Sequence, residues 1–187
     1  PSRMSASRLP GKPLLKINGL SIISHVFRRA EKANIGEVIV AAEDQVIIDD
    51  VKKNGGNAIL TSKNNKTGTD RVYEAFSLIN NKNIDLVMNI QGDEPQIDIQ
   101  DIYNLNKKMK KNKSKIGTMA AKILDESVYK NESFVKVTTA KSFDEESFPL
   151  AKTFSRLTEI KKNIFHHIGI YCYEVETLKK YVSFDQS

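Results

Sequence analysis

Residues 84–90, IDLVMNI, form a short and almost wholly apolar run that leads straight into Gln91-Gly92-Asp93-Glu94-Pro95. The run is too short for a core helix and lacks the alternation of a strand with one wet face. It reads as a strand buried on both faces, which calls for a mainly parallel sheet with helices above and below it. The flanking segments fit that demand. Residues 37–42 (EVIVAA) and 57–60 (NAIL) are further short apolar runs, and residues 21–33 place Ile22, Ile23, Val26 and Phe27 at helical spacing. Asp44 is placed to cap a helix to about Lys53, ended by Asn54-Gly55-Gly56, and another helix starts at Thr69 or Asp70 and runs to Leu78.

Further along, a helix is predicted over 99–109, strands near 116–123, 134–139 and 163–173, and a helix over 174–182. Residues 141–149 read as an exposed, charged loop. Residues 1–187 are thus expected to make a single α/β domain, a length that can bury a real core. Ligand loops in open α/β sheets follow the carboxyl ends of strands, yet Pro1 opens a basic loop with no strand ahead of it, and 174–182 is followed by no closing element. The expectation is a domain truncated at both ends, lacking its first strand and its C-terminal portion.

Composition narrows the class. Hydrophobic residues are 40% and charged residues 28%, no apolar run approaches a bilayer span, and the single cysteine, Cys172, cannot form an internal disulfide. These features favour a cytoplasmic protein. The net charge of +6 invites a nucleic-acid reading, but much of the excess lies in Lys107, Lys108, Lys110, Lys111, Lys113 and Lys115. That run carries no interleaved aromatics to stack bases and reads as a solvated helix end.

The opening segment, Arg3 to Pro13, gathers Arg3, Arg8, Lys12 and the hydroxyls of Ser5 and Ser7 around Gly11. A triphosphate needs close backbone N–H groups and several cations, and this segment can supply both. It is not a Walker A loop, because Lys12 is followed by Pro13. On composition alone, a basic surface turn explains it equally well.

Residues 8–14, RLPGKPL, with Ile17-Asn18-Gly19, resemble the N-terminal signature of the CMP-Kdo synthetases (3-deoxy-manno-octulosonate cytidylyltransferases). In the same order, Thr67-Gly68-Thr69-Asp70-Arg71 resembles the family's SGT(E/D)R segment, and residues 89–95, NIQGDEP, its NxQGDEP block. Val135-Lys136-Val137, Phe154-Ser155-Arg156 and residues 167–171 (HIGIY) resemble its VKV, FSR and HxGIY blocks. The resemblance covers essentially the whole chain. It implies a three-layer α/β/α, Rossmann-like nucleotide-diphospho-sugar transferase fold, transfer of CMP from CTP to the acidic sugar Kdo, and a homodimer in the full-length protein.

It also implies roles for residues. Arg3, Arg8, Lys12, Gly68, Thr69 and Arg71 would bind the nucleotide, with Arg3, Lys12 and Asp93 catalytic. Gln91, Arg156 and His167 would bind the sugar. Asp93 would hold Mg²⁺, a cation that favours hard oxygen ligands and takes one or two carboxylates plus phosphate oxygens. Several residues keep a second reading. Thr69 serves equally as a helix N-cap, and Lys136 is either a cleft-facing cation or a solvated strand residue. Strand alternation puts His166 and His167 on opposite faces, so one at most faces a cleft. His25, among apolar neighbours on a helix, reads as structural, and Cys172 lacks the basic setting of a nucleophile.

The sequence departs from the family pattern in two places, with Ala6 where many relatives carry serine and Ala42 where a threonine is common. The rival readings are a cytidylyltransferase for sialic acid or an 8-amino variant of Kdo, a non-catalytic nucleotide-binding domain, and a nucleic-acid module.

Overall fold

The computed structural model describes residues 1–5, 9–158 and 162–184. The chain forms two compact units, one of residues 1–117 and 171–187 and the other of residues 118–170.

In the first unit a 3₁₀ turn (Lys12–Leu14) leads into a small antiparallel hairpin, β1 (Lys16–Ile17) and β2 (Leu20–Ser21). Asn18 and Gly19 at its tip have φ of 49° and 81°. Both values are left-handed, as a two-residue hairpin turn demands. Helix α1 (Ile22–Lys32) follows, with the Ser21 hydroxyl accepting from the Ser24 amide as its N-cap. Its apolar stripe, Ile23 and Phe27 foremost, packs on β3 (Val40–Ala42) and on α2 (Gln45–Lys53) through Ile47, Ile48 and Val51. The Asp50 carboxylate of α2 accepts from the hydroxyls of Ser21 and Ser24, which ties the start of α1 to α2.

The first unit continues with β4 (Ala58–Leu60), α3 (Gly68–Ile79), β5 (Leu86–Asn89) and α4 (Ile99–Asn112). Then come β6 (Ile116–Ala121), α5 (Ser127–Lys130), β7 (Lys136–Thr139), β8 (Ala151–Ser155), β9 (Ile164–Glu174) and α6 (Val175–Ser183). β6 and β9 each contribute residues to both units.

The α/β class agrees with the sequence, and the strand directions correct it. β3 and β4 pair in parallel, Val40 opposite Ala58. β5 runs antiparallel to the last residues of β9, Leu86 opposite Glu174 and Asn89 opposite Tyr171. In the second unit β7 is antiparallel to both β8 and the start of β9. The expected mainly parallel sheet is therefore not what these ladders form. Parallel pairing needs a crossover helix, and the stretch from β7 to β9 contains none. Among the described residues β3 and β5 share no ladder. Val40 and Ala41 of β3 and Val87 and Met88 of β5 line an apolar cavity of about 360 Å³.

No described helix is long and apolar enough to cross a membrane. The lysine-rich stretch forms the last turns of α4 and its left-handed cap at Lys113, on an exposed surface.

Candidate nucleotide site

The site grows from three sequence blocks of the first unit. The opening segment is pinned at its start by Ser2, whose amide donates to the Ala41 carbonyl at 2.8 Å and which bridges Ala42 in parallel. It closes on itself where the Gly11 amide donates to the Met4 carbonyl at 3.1 Å. Gly11 has φ 74°, a left-handed conformation that glycine adopts without steric cost, and this turn delivers Lys12 at the head of the 3₁₀ turn.

The second block is the start of α3. Its N-cap is Thr67, not Thr69: the Thr67 hydroxyl accepts from the Asp70 amide, and the Asp70 carboxylate accepts from the Thr67 amide. This capping box fixes the helix start so that Gly68 lies on the pocket wall at the positive end of the helix. Thr69 is not on that wall. Its hydroxyl accepts from Asn89 at 3.4 Å, and the Asn89 side-chain oxygen accepts from Gln91 at 3.4 Å. A buried amide thus links α3 to the third block.

That block follows β5. Gly92 is buried, and a methyl group added there would lie 2.8 Å from the Pro1 carbonyl oxygen and 2.9 Å from Ile23 Cδ1. Only glycine lets the two backbones approach this closely, and the approach sets Gln91 and Asp93 beside the opening segment. Lys12 Nζ lies 2.8 Å from Asp93 Oδ2, an ion pair between residues 81 apart in sequence. The side chains are 32% and 51% exposed. An exposed pair of this kind contributes only about 0–1 kcal/mol, so an incoming ligand separates it at little cost.

Arg3, Lys12, Gly68, Arg71, Gln91 and Asp93 all line one cavity of about 300 Å³, at the small end of the range for ligand pockets. Sequence reasoning missed Asn65 and Lys66 on the same wall. It also missed Asn89, although an asparagine ending an apolar strand that points at a Gly-Asp turn was a usable signal. Arg8 lies outside the described residues. Arg71, though on the wall, is buried, and its guanidinium donates to Thr61 Oγ1 at 2.6 Å and pairs with Glu43.

The expected sugar-site residues Arg156 and His167 belong to the second unit, as do His166 and Lys136. His167 is buried on β9, with Nε2 2.9 Å from the Thr118 hydroxyl and its ring edge-to-face with Phe154. Burial, reinforced by the neighbouring His166, holds its pKa below the ordinary 6.5. His166 instead packs edge-to-face with Phe134, as the alternation requires. Arg156 is exposed, and its guanidinium donates to the Glu132 carbonyl at 2.7 Å. Lys136 is 1% exposed and donates to the carbonyls of Asn131 at 2.7 Å and Arg156 at 2.5 Å. Neither sequence reading of Lys136, cleft cation or solvated residue, describes this buried donor. His25 Nε2 donates to the Ile17 carbonyl at 2.8 Å and fastens the hairpin to α1. Cys172 is fully buried, and burial pushes its thiol up to about 12, which removes it as a nucleophile.

Comparison with known proteins places the chain in a family. A family model described as cytidylyltransferase matches residues 1–187. A 3-deoxy-manno-octulosonate cytidylyltransferase of Nitrobacter winogradskyi is 38% identical over the whole chain and 74% of its own length. One of the same name from Fusobacterium nucleatum is 38% identical over 97% of the chain and 74% of its own length. Among solved structures, CMP:2-keto-3-deoxy-manno-octonic acid synthetase complexed with CTP superposes with a TM-score of 0.86 at 34% identity, covering 100% of this chain and 76% of that one. The chain belongs to the cytidylyltransferase family, within its 3-deoxy-manno-octulosonate cytidylyltransferase branch.

Proposed function

We propose that this protein transfers CMP from CTP to Kdo, giving CMP-Kdo and pyrophosphate for lipopolysaccharide biosynthesis. The observation that carries the reading is the single cavity lined by Arg3, Lys12, Gly68, Gln91 and Asp93, which come from three separated blocks. The names of the relatives and the CTP-bound neighbour support the same substrates.

In this reading Arg3, Arg8 and Lys12 hold the triphosphate, and the positive end of α3 at Gly68 and Thr69 adds favourable dipole charge. Lys12 leaves the half-exposed Asp93 carboxylate for a phosphate oxygen. Gln91, held by Asn89, presents its amide to a sugar hydroxyl, and Arg156 and His167 serve the sugar acid. The anomeric 2-hydroxyl oxygen bonds to the α-phosphorus as the bond from that phosphorus to the β-bridging oxygen breaks. The hydroxyl proton goes to solvent and pyrophosphate leaves. Catalysis rests on positioning and charge stabilisation, with no covalent enzyme intermediate.

Mg²⁺ belongs to the same reading. Among the described residues no group of three His, Cys, Asp or Glu forms a metal cage, and Asp93 offers one exposed carboxylate. That donor set fits an ion whose remaining ligands are phosphate oxygens and water. Bound there, the ion neutralises phosphate charge and polarises the oxygens it touches. A three-layer α/β/α arrangement, one catalytic domain, a cytoplasmic location and a homodimeric full-length form complete the proposal.

Pyrophosphate release from the full-length protein tests it, with CTP and Mg²⁺ and with Kdo, 8-amino-Kdo or sialic acid as acceptor. The expected result is turnover with Kdo at least about tenfold faster than with the others, a difference of about 1.4 kcal/mol in the barrier. Faster turnover with 8-amino-Kdo or sialic acid would move the protein to a related sugar. No turnover with any acceptor would leave a nucleotide-binding domain without the reaction.

A further inference from the structure

The two residues that follow β3, Glu43 and Asp44, lie between the buried Ala42 and the start of α2. Asp44 stands at the N-cap position of α2, yet its side chain makes no cap hydrogen bond. Its carboxylate instead accepts from the Met4 amide of the opening segment at 2.8 Å. Glu43 divides its two oxygens between partners. Oε1 accepts from the Ser5 hydroxyl at 3.4 Å, and Oε2 pairs with the Arg71 guanidinium. The Glu43 and Arg71 side chains are 12% and 3% exposed, so Arg71 is buried and Glu43 nearly so, unlike Lys12 and Asp93.

Arg71 carries the connection onward. It donates to Thr61 Oγ1 and to the Ser62 carbonyl, and one turn further along α3 the Glu74 carboxylate accepts from the Ser62 amide and from the Asn65 side chain. The segment so fastened runs into Asn65, Lys66 and Thr67 of the pocket wall. One strand end therefore grips two walls of the same pocket: the opening segment through Met4 and Ser5, and the start of α3 through Arg71.

We propose that Glu43 and Asp44 are the positioning residues of the nucleotide pocket, and that Arg71 acts with them as a strut and does not carry charge to the triphosphate. A guanidinium already paired with a carboxylate presents no net charge to an anion, and freeing it leaves Glu43, only 12% exposed, without its counter-charge. Among the described residues, the other cations on the pocket wall are Arg3, Lys12 and Lys66, and Lys12 pairs with Asp93, not with Glu43 or Asp44. The positioning works on geometry: a pocket wall that shifts loses contacts with the incoming nucleotide, a loss that shows in KM for CTP.

This inference rests on the proposed CTP-dependent reaction, and the experiment separates the two. Glu43→Gln and Asp44→Ala are compared with the unaltered protein by pyrophosphate release over a range of CTP concentrations and by thermal melting. Glu43→Gln keeps an acceptor for Ser5 and removes the negative charge that pairs with Arg71. It is expected to raise KM for CTP about tenfold or more while kcat at saturating CTP falls less than threefold. Asp44→Ala loosens the opening segment alone and is expected to raise KM about three- to tenfold at an unchanged melting temperature. If Glu43→Gln fails to fold, Asp44→Ala decides. A lowered KM in Glu43→Gln would show that a released Arg71 binds the nucleotide directly and would overturn the proposal, as would an unchanged KM in both variants. Absence of turnover in the unaltered protein would count against the reaction itself.

Discussion

Lys12 and Lys136 are the same side chain under opposite constraints. Lys12 is half-exposed on a pocket wall and meets a half-exposed carboxylate at 2.8 Å, in an arrangement that solvent screens and a ligand can replace. Lys136 is 1% exposed, and its ammonium is spent on two backbone carbonyls of the second unit. A cation that binds substrate has to be exchangeable, whereas one that organises backbone has to be committed. Arg71 falls on the committed side although it lines the pocket, because it is buried and Glu43 pairs with it.

The sharpest way to break this comparison is to remove both lysines and weigh stability. Lys136→Met leaves two carbonyls without their donor and is expected to cost about 2–4 kcal/mol by denaturant unfolding. Lys12→Met removes an exposed pair and is expected to stay within about 0.5 kcal/mol of the unaltered protein. Equal losses in the two variants would erase the distinction.

A smaller effect tests commitment in the same unit as Lys136. His167 has its pKa depressed by burial below 6.5, so the unfolded chain takes up the proton first as pH falls. Its contribution to stability is full above about pH 6.5 and is lost as pH falls from there toward the depressed folded value. Below that value the loss is complete and the slope ends. His167→Asn, which keeps a polar partner for Thr118, is expected to flatten the slope of unfolding free energy just below about pH 6.5 by less than one proton's worth. An unchanged slope would show that His167 titrates as it does in the unfolded chain.

Local features were legible because they rest on local rules. The spacing of Ile22, Ile23, Val26 and Phe27 placed α1 within a residue of its observed ends, and the apolar run at 84–90 contained β5. The β1–β2 hairpin was legible too, since Asn18-Gly19 is the dipeptide its turn prefers, but the pair served only as part of a motif. β8 escaped notice because most of its residues are exposed and its sequence, AKTFS, carries no apolar run.

The pocket divides in the same way. Gly92 and Asp93 announced themselves through the strand before them. The helix cap fell on Thr67 because Asp70 completes a capping box there, a pattern that spacing alone could have revealed. What spacing could not reveal is partnership. Nothing near Arg71 in sequence shows that Glu43, 28 residues away, takes its charge, and nothing near Lys136 shows the two carbonyls it serves. Strand direction failed for a similar reason, since pairing is set by which segments meet and not by either segment alone.

Titration of CTP by calorimetry into the unaltered protein, Lys12→Met and Asp93→Asn, with and without Mg²⁺, tests the central claim most directly. If Lys12 and Asp93 neutralise each other until nucleotide and cation divide them, Lys12→Met weakens CTP binding about tenfold or more under both conditions. Asp93→Asn then binds CTP at least as tightly as the unaltered protein without Mg²⁺, because Lys12 is released, and gains little when Mg²⁺ is added. Unaltered CTP affinity in both variants, with the full response to Mg²⁺ retained in Asp93→Asn, would contradict the account.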